Sequence, residues 1–159
     1  VRQSLVLDVT VRPAHRRDAG AITGLTRELG YPVDEEAVRS RLAAILDAGH
    51  QAVFVAEYGG VTVGWAHVTD VPKVQDEPGA DLEGMVVAEQ MRGRGVGRAL
   101  VAAAEDWAGR RGLRTLRVRS RSTRKGAHAF YRRMGFEDVK TSRVFARRIS
   151  PEGGEPRRT

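Results

Sequence analysis

The sequence predicts an α/β chain built on one mixed, mostly antiparallel sheet of six to seven strands with about four helices. Three observations predict it. Short runs with apolar residues at alternate positions recur along the chain, as half-buried strands require. Longer runs between them carry apolar residues three and four apart, the stripe of a helix lying on a sheet. Glycine and proline mark the joins, and one join, MRGRGVGRAL (91–100), sets Gly93, Gly95 and Gly97 between a strand and a helix.

The elements follow in order. Residues 5–12 (LVLDVTVR) alternate and predict the first strand. Asp18 is placed to cap a helix carrying Ile22, Leu25, Thr26 and Leu29, and Gly30 to end it. Tyr31-Pro32 is a break. Asp34 opens a second helix with Val38, Leu42, Ile45 and Leu46 on one face. QAVFVAEY (51–58) and VTVGWAHVTDV (61–71) are strands joined by Gly59-Gly60, a two-residue hairpin signal. Residues 72–80 form a loop, and DLEGMVV (81–87) is a strand leading into the glycine stretch. Val96, Ala99, Leu100, Ala103, Ala104 and Trp107 then form a helical stripe that Gly112 closes. LRTLRVRS (113–120) is a strand. Arg124–Met134 is a short helix with Ala127, Phe130, Tyr131 and Met134 on one side. FEDVKTSRVFARRI (136–149) supplies one or two last strands. A single domain is expected over 1–149, with 150–159 a disordered tail.

Composition narrows the chemistry. The chain has no cysteine, which excludes disulfides and thiolate metal sites, and no metal is expected. No segment approaches the roughly 20 apolar residues of a membrane span. The N-terminal VRQSLVLDVTVRPAHRR lacks a secretory h-region and cleavage site, so a cytoplasmic chain without membrane contact is expected. The net charge of +7 comes from arginine, the lysines being Lys73, Lys125 and Lys140 alone. Such a surplus favours an anionic partner: nucleic acid, anionic lipid or a phosphorylated ligand.

The glycine stretch is the strongest lead. A strand-to-helix junction leaves backbone N–H groups unpaired at the positive end of the helix dipole, where phosphate binds readily. The dinucleotide fingerprint G-x-G-x-x-G fails here, because Arg98 stands at its third glycine. The Walker loop fails for want of G-K-[ST]. The pattern present is R-x-x-G-x-G, from Arg92 to Gly97.

Two segments carry a resemblance. LEGMVVAEQMRGRGVGRALVAAAEDWA (82–108) resembles the central strand, pyrophosphate loop and helix of the GNAT superfamily of acyl-CoA-dependent N-acetyltransferases. AHAFYRRMGFE (127–137) resembles that superfamily's second signature, A-x-x-F-Y-x-x-x-G-F. The resemblance implies a GNAT-like sheet with splayed central strands, acetyl-CoA as acyl donor, and transfer of its acetyl group to a primary amine of a small cationic acceptor. Direct transfer in a ternary complex is implied, there being no cysteine to carry the acyl group. The resemblance is also compatible with a homodimer.

Site residues follow from the same resemblance. Met85, Val86 and Val87 match a bulged strand whose main chain pairs with pantetheine, as in strand addition. One of their amides would hold the acetyl carbonyl and its developing negative charge. Arg92, Gly93, Arg94, Gly95, Val96, Gly97 and Arg98 match the pyrophosphate loop. Tyr131 matches the tyrosine that faces the thioester sulfur, and a phenol of pKa near 10 can protonate the departing thiolate. Arg124 replaces an asparagine found in many relatives and stands as a candidate cofactor contact. The acceptor amine must lose a proton, for which Glu83 is the first candidate base and Asp81 the second. Tyr31, Trp65, His67 and Glu83 are candidates for the acceptor pocket.

Other readings stay open. The acceptor could be a protein N-terminus or a lysine. The fold could serve as a non-catalytic acyl-CoA sensor. The basic run from Arg110 to Arg124 could mark a nucleic-acid-binding module, although no aromatics interleave it for base stacking.

Overall fold

The apolar alternation becomes five strands: Thr10–Pro13 (β1), Gln51–Tyr58 (β2), Val61–Thr69 (β3), Ala80–Val87 (β4) and Leu116–Val118 (β5). They lie side by side in chain order, with the first three junctions antiparallel and β4–β5 parallel. These coordinates come from a computed structural model that describes residues 8–121 and 123–149. The chain divides into two compact units, Val1–Arg119 and Ser120–Thr159.

In the first unit Gly59 and Gly60 both adopt positive φ, as the tight β2–β3 turn demands. Helices Ala19–Glu28 (α1) and Glu35–Asp47 (α2) bring Ile22 and Leu42 onto Val53 and Val55 of β2, with Trp65 packed against the same cluster. Helix Val96–Arg110 (α3) covers the opposite face. A Cβ at Gly64 of β3 would meet Val96 and Leu100, each at 3.1 Å, so Gly64 allows α3 to seat closely. Because β4 and β5 run parallel, the chain must cross over between them, and α3 is that crossover.

Helix ends agree with the sequence at most positions. Asp34 accepts Ala37 N–H at 3.1 Å and caps α2. Gly30 and Gly112 take positive φ just beyond α1 and α3. Asp18 differs. Its side chain does not cap α1, but accepts two hydrogen bonds from Arg12, at 2.8 and 2.9 Å, and one from His15 N–H at 2.6 Å. Arg12 also reaches Glu57, so its guanidinium ties β1 to β2 and holds the buried Asp18 carboxylate beside that edge. The α3 stripe is rotated slightly from expectation: Val101 and Ala108 are buried, while Trp107 is half-buried beneath the Arg111 guanidinium at 4.6 Å.

The sheet is smaller than expected. Five strands replace six to seven among the described residues, and 136–149 contains none. Val144, Phe145 and Ile149 stand 93, 88 and 91% exposed. The reason lies in the pattern. Apolar residues at 139, 144, 145 and 149 do not alternate, and four cationic side chains interrupt them, leaving no face to bury. Expected strand residues 5–7 and the expected tail 150–159 lie outside the described residues. The second unit holds helix Lys125–Arg133 (α4), ended by Gly135 at φ 89°.

Candidate active site

The two central strands part. Ala80, Asp81 and Leu82 pair with Leu116, Arg117 and Val118, and the ladder stops there. From Gly84 to Val87, β4 pairs with β3 on one edge, and no strand among the described residues pairs with its other edge. The register of β3 against β4 jumps between His67–Gly84 and Val68–Leu82, which makes Glu83 the extra residue of a β-bulge. Met85, Val86 and Val87 thus lie on a free backbone edge, the arrangement that strand addition uses.

That edge leads into the glycine loop. A short 3₁₀ turn, Glu89–Met91, buries Met91 and turns the chain. Gly93 and Gly95 follow at φ 73° and 89°. A Cβ at either would meet open space, so conformation and not crowding calls for glycine. Gly95 N-caps α3 and offers no capping side chain. Ala99 N–H is the first to find a helical acceptor, Gly95 O at 3.0 Å. The N–H groups of Val96, Gly97 and Arg98 therefore open at the positive end of the helix dipole. Arg92, Arg94 and Arg98 are exposed and form no ion pair among the described residues. Unpaired amides, free guanidinium groups and an open strand edge suit a pantetheine diphosphate ligand such as coenzyme A.

Trp65, His67 and Thr69 of β3 share one sheet face with the bulge. Thr69 donates from Oγ1 to one Glu83 oxygen at 3.0 Å. His67 Nε2 lies 2.8 Å from Gln51 Oε1. Burial lowers the His67 pKa, and the nearby Glu83 charge offsets this only in part. Trp65 donates from its indole N–H to Thr26 Oγ1 at 3.2 Å. Its ring lies over Gly84, where a Cβ would come within 2.9 Å, so only glycine fits beneath it. Tyr31 lines a shallow depression of about 530 Å³ with Arg27, Gly30, Pro32, Val33 and Asp34.

Asp81 is committed elsewhere. It is 3% exposed and bonds Lys73 and Arg117, with Arg119 at 3.7 Å. Burial pushes its pKa up, but the bonds from Lys73 and Arg117 outweigh burial and leave it lowered. A carboxylate so held is a poor proton acceptor, so Glu83 is the better placed of the two candidate bases. The basic stretch is likewise partly spent: Arg110 pairs with Asp106, and Arg111 with Asp70 and the Gly49 carbonyl.

In the second unit, Tyr131 packs edge-on against Phe130 at 5.2 Å and Phe136 at 5.5 Å. Burial raises the phenol pKa above 10.0, against a smaller opposing effect of Arg124. Arg124 is exposed and begins α4. No cluster of metal-binding side chains occurs among the described residues. Sequence reasoning overlooked Thr69, Gly84 and the cations around Asp81. Gly84 beside Trp65 was visible only once the register was known.

The family model for the acetyltransferase (GNAT) family matches residues 20–136, running through both units. The chain belongs to the GNAT acetyltransferase family. This GNAT protein is 36% identical over 147 residues to an aminoglycoside N(6′)-acetyltransferase type 1 of Stenotrophomonas maltophilia, covering 89% of the chain and 95% of that relative. It is 28% identical over 135 residues to the enzyme of the same name from Salmonella typhimurium, covering 81% of the chain and 92% of the relative. Among solved structures, aminoglycoside N-acetyltransferase AAC(6′)-Iy in complex with CoA superposes with a TM-score of 0.81 at 25% identity, covering 89% of this chain and 95% of that one. The same enzyme with the bisubstrate analogue CoA-S-monomethyl-acetylneamine gives 0.80, also at 25% identity, covering 89% and 99%. The GNAT protein is therefore an acetyl-CoA-dependent N-acetyltransferase. No helix among its described residues is long and apolar enough to cross a membrane.

Proposed function

We propose that the chain acetylates a primary amine of a small polycationic acceptor, of the aminoglycoside 6′-amine class, by direct transfer within a ternary complex. The observation that carries this reading is the relative of that activity matched along 95% of its own length. The bisubstrate complex of a structural neighbour supports direct transfer.

Bound acetyl-CoA supplies the acetyl group as a thioester. In this reading the N–H groups of Val96, Gly97 and Arg98, with Arg92 and Arg94, receive its diphosphate. The free edge of Met85–Val87 pairs with the pantetheine arm, and one of those amides steadies the carbonyl oxygen as negative charge grows on it. Glu83 takes the proton of the attacking amine. Its Thr69 bond fixes one carboxylate oxygen, and the other has no hydrogen bond among the described residues. Tyr131 holds a phenolic proton for the departing sulfur, and its raised pKa keeps that proton in place at neutral pH. Trp65, His67 and Tyr31 belong to the acceptor side, and Arg124 to the donor side. A single catalytic domain over 1–149 is part of the reading, supported by a family match that spans both units. So is a homodimer, in which a second copy covers the exposed Val144, Phe145 and Ile149. Light scattering of the purified chain measures it.

A thiol-release assay tests the acceptor. Neamine should release free CoA, an aminoglycoside with a 6′-hydroxyl should not, and peptides offering an N-terminus or a lysine should be far slower. Turnover confined to peptides would move the acceptor to proteins. CoA binding with no turnover on any amine would favour the sensor.

A further inference from the structure

We propose that the ion cluster of Asp81, Lys73 and Arg117 pins the point where β4 and β5 part, and that Asp81 and Lys73 are thereby positioning residues for the acyl donor. The inference rests on the reading above, in which the donor enters between those strands. Asp81 and Arg117 face each other on the next-to-last rung of the β4–β5 ladder, and the last rung is Leu82–Val118. The bulge at Glu83 begins at once beyond it. The joint is braced from several sides. Lys73 reaches Asp81 from the loop ahead of β4. Arg117 donates to the Glu77 carbonyl at 3.0 Å and is 3.4 Å from the Gly79 carbonyl. Ala80 N–H donates to Thr115 O at 2.9 Å. A Cβ at Gly79 would meet Arg117 Nη1 and Thr115 O, both at 3.1 Å, so the backbone is closely packed here.

Three cations surround one carboxylate, more than its neutralisation needs. A carboxylate taken out of water, as Asp81 is, stabilises poorly compared with apolar packing, and geometry is what its bonds to the part-exposed Lys73 and Arg117 can supply. A fixed fork means the cleft is shaped before the donor arrives, which lowers the ordering cost of binding. Asp81 thus supports the site through β4 and takes no proton from the acceptor.

Titration calorimetry with CoA, paired with thermal melts, tests this on Lys73→Met, Lys73→Arg and Asp81→Asn. Lys73→Met should weaken CoA binding about tenfold, as a slightly misplaced cleft would. Lys73→Arg should recover most of the loss, and Asp81→Asn should exceed it. Should Asp81→Asn fail to fold, the lysine pair decides. CoA binding within about twofold of the parent in a folded Lys73→Met protein, with only the melting temperature reduced, would overturn the proposal. Gly95→Ala in the glycine loop is the control. If it weakens CoA binding while Lys73→Met does not, the fork is merely structural. If neither does, the cleft reading itself has failed, and the proposal with it.

Discussion

Glu83 stands exposed at the bulge with one oxygen bound to Thr69 and faces the same side of the sheet as His67 and Trp65. Glu83→Gln keeps the shape and removes the proposed base, so kcat should fall roughly 100-fold or more while CoA binding holds. Steady-state kinetics paired with calorimetry check this. Tyr131 is argued from its proton. Burial raises its pKa, so the donor-competent phenol persists past pH 10.0. The alkaline limb of kcat attributable to Tyr131 should therefore lie above that value. Tyr131→Phe should slow turnover at every lower pH without weakening CoA binding. A Phe variant as fast as the parent removes Tyr131 from the mechanism. Tyr131 was singled out in the sequence through the second signature, and Glu83 through its place on the strand just ahead of the loop. Thr69 was not, because a hydroxyl on a strand acquires meaning only when a bulge on the neighbouring strand turns a carboxylate toward it.

At the scale of elements, the glycine loop and α3 were legible because glycine spacing and a helical stripe are local signals. The fork was not. Its position depends on where the β4–β5 ladder stops, a pairing between residues about 36 apart in sequence. The expected strands in 136–149 failed for a related reason, since a strand forms only with a neighbour to complete its hydrogen bonds. Gly95→Ala should strain φ 89° by about 1–2 kcal/mol, visible as a lower melting temperature. The Arg12–Asp18 pair makes a pH-dependent prediction for the β1–β2 edge. Hydrogen bonds from Arg12 hold the Asp18 carboxyl below its usual 3.8, against the opposing effect of burial. Its contribution is complete above pH 3.8 and is lost as pH falls through the lower folded value. Asp18→Asn should cost roughly 1.5–3 kcal/mol at neutral pH, and denaturant curves of the two proteins should converge in acid.

For the whole molecule, the +7 charge now has a partial explanation. Several arginines of the basic stretch pair with the chain's own carboxylates, whereas Arg92, Arg94 and Arg98 at the mouth of α3 form no such pair among the described residues. Family and donor could be read from the sequence because they rest on backbone geometry that glycines betray. The acceptor could not, because the candidate residues Trp65 and His67 on β3 and Tyr31 after α1 form no motif. The central claim is that the chain receives its acyl donor along the free edge of β4 and on the amides that open α3. Amide hydrogen exchange with and without CoA measures this most directly. The account predicts new protection at Met85–Val87 and at 93–98, with little change in β1 and β2. Protection absent from both segments while CoA is demonstrably bound would contradict it.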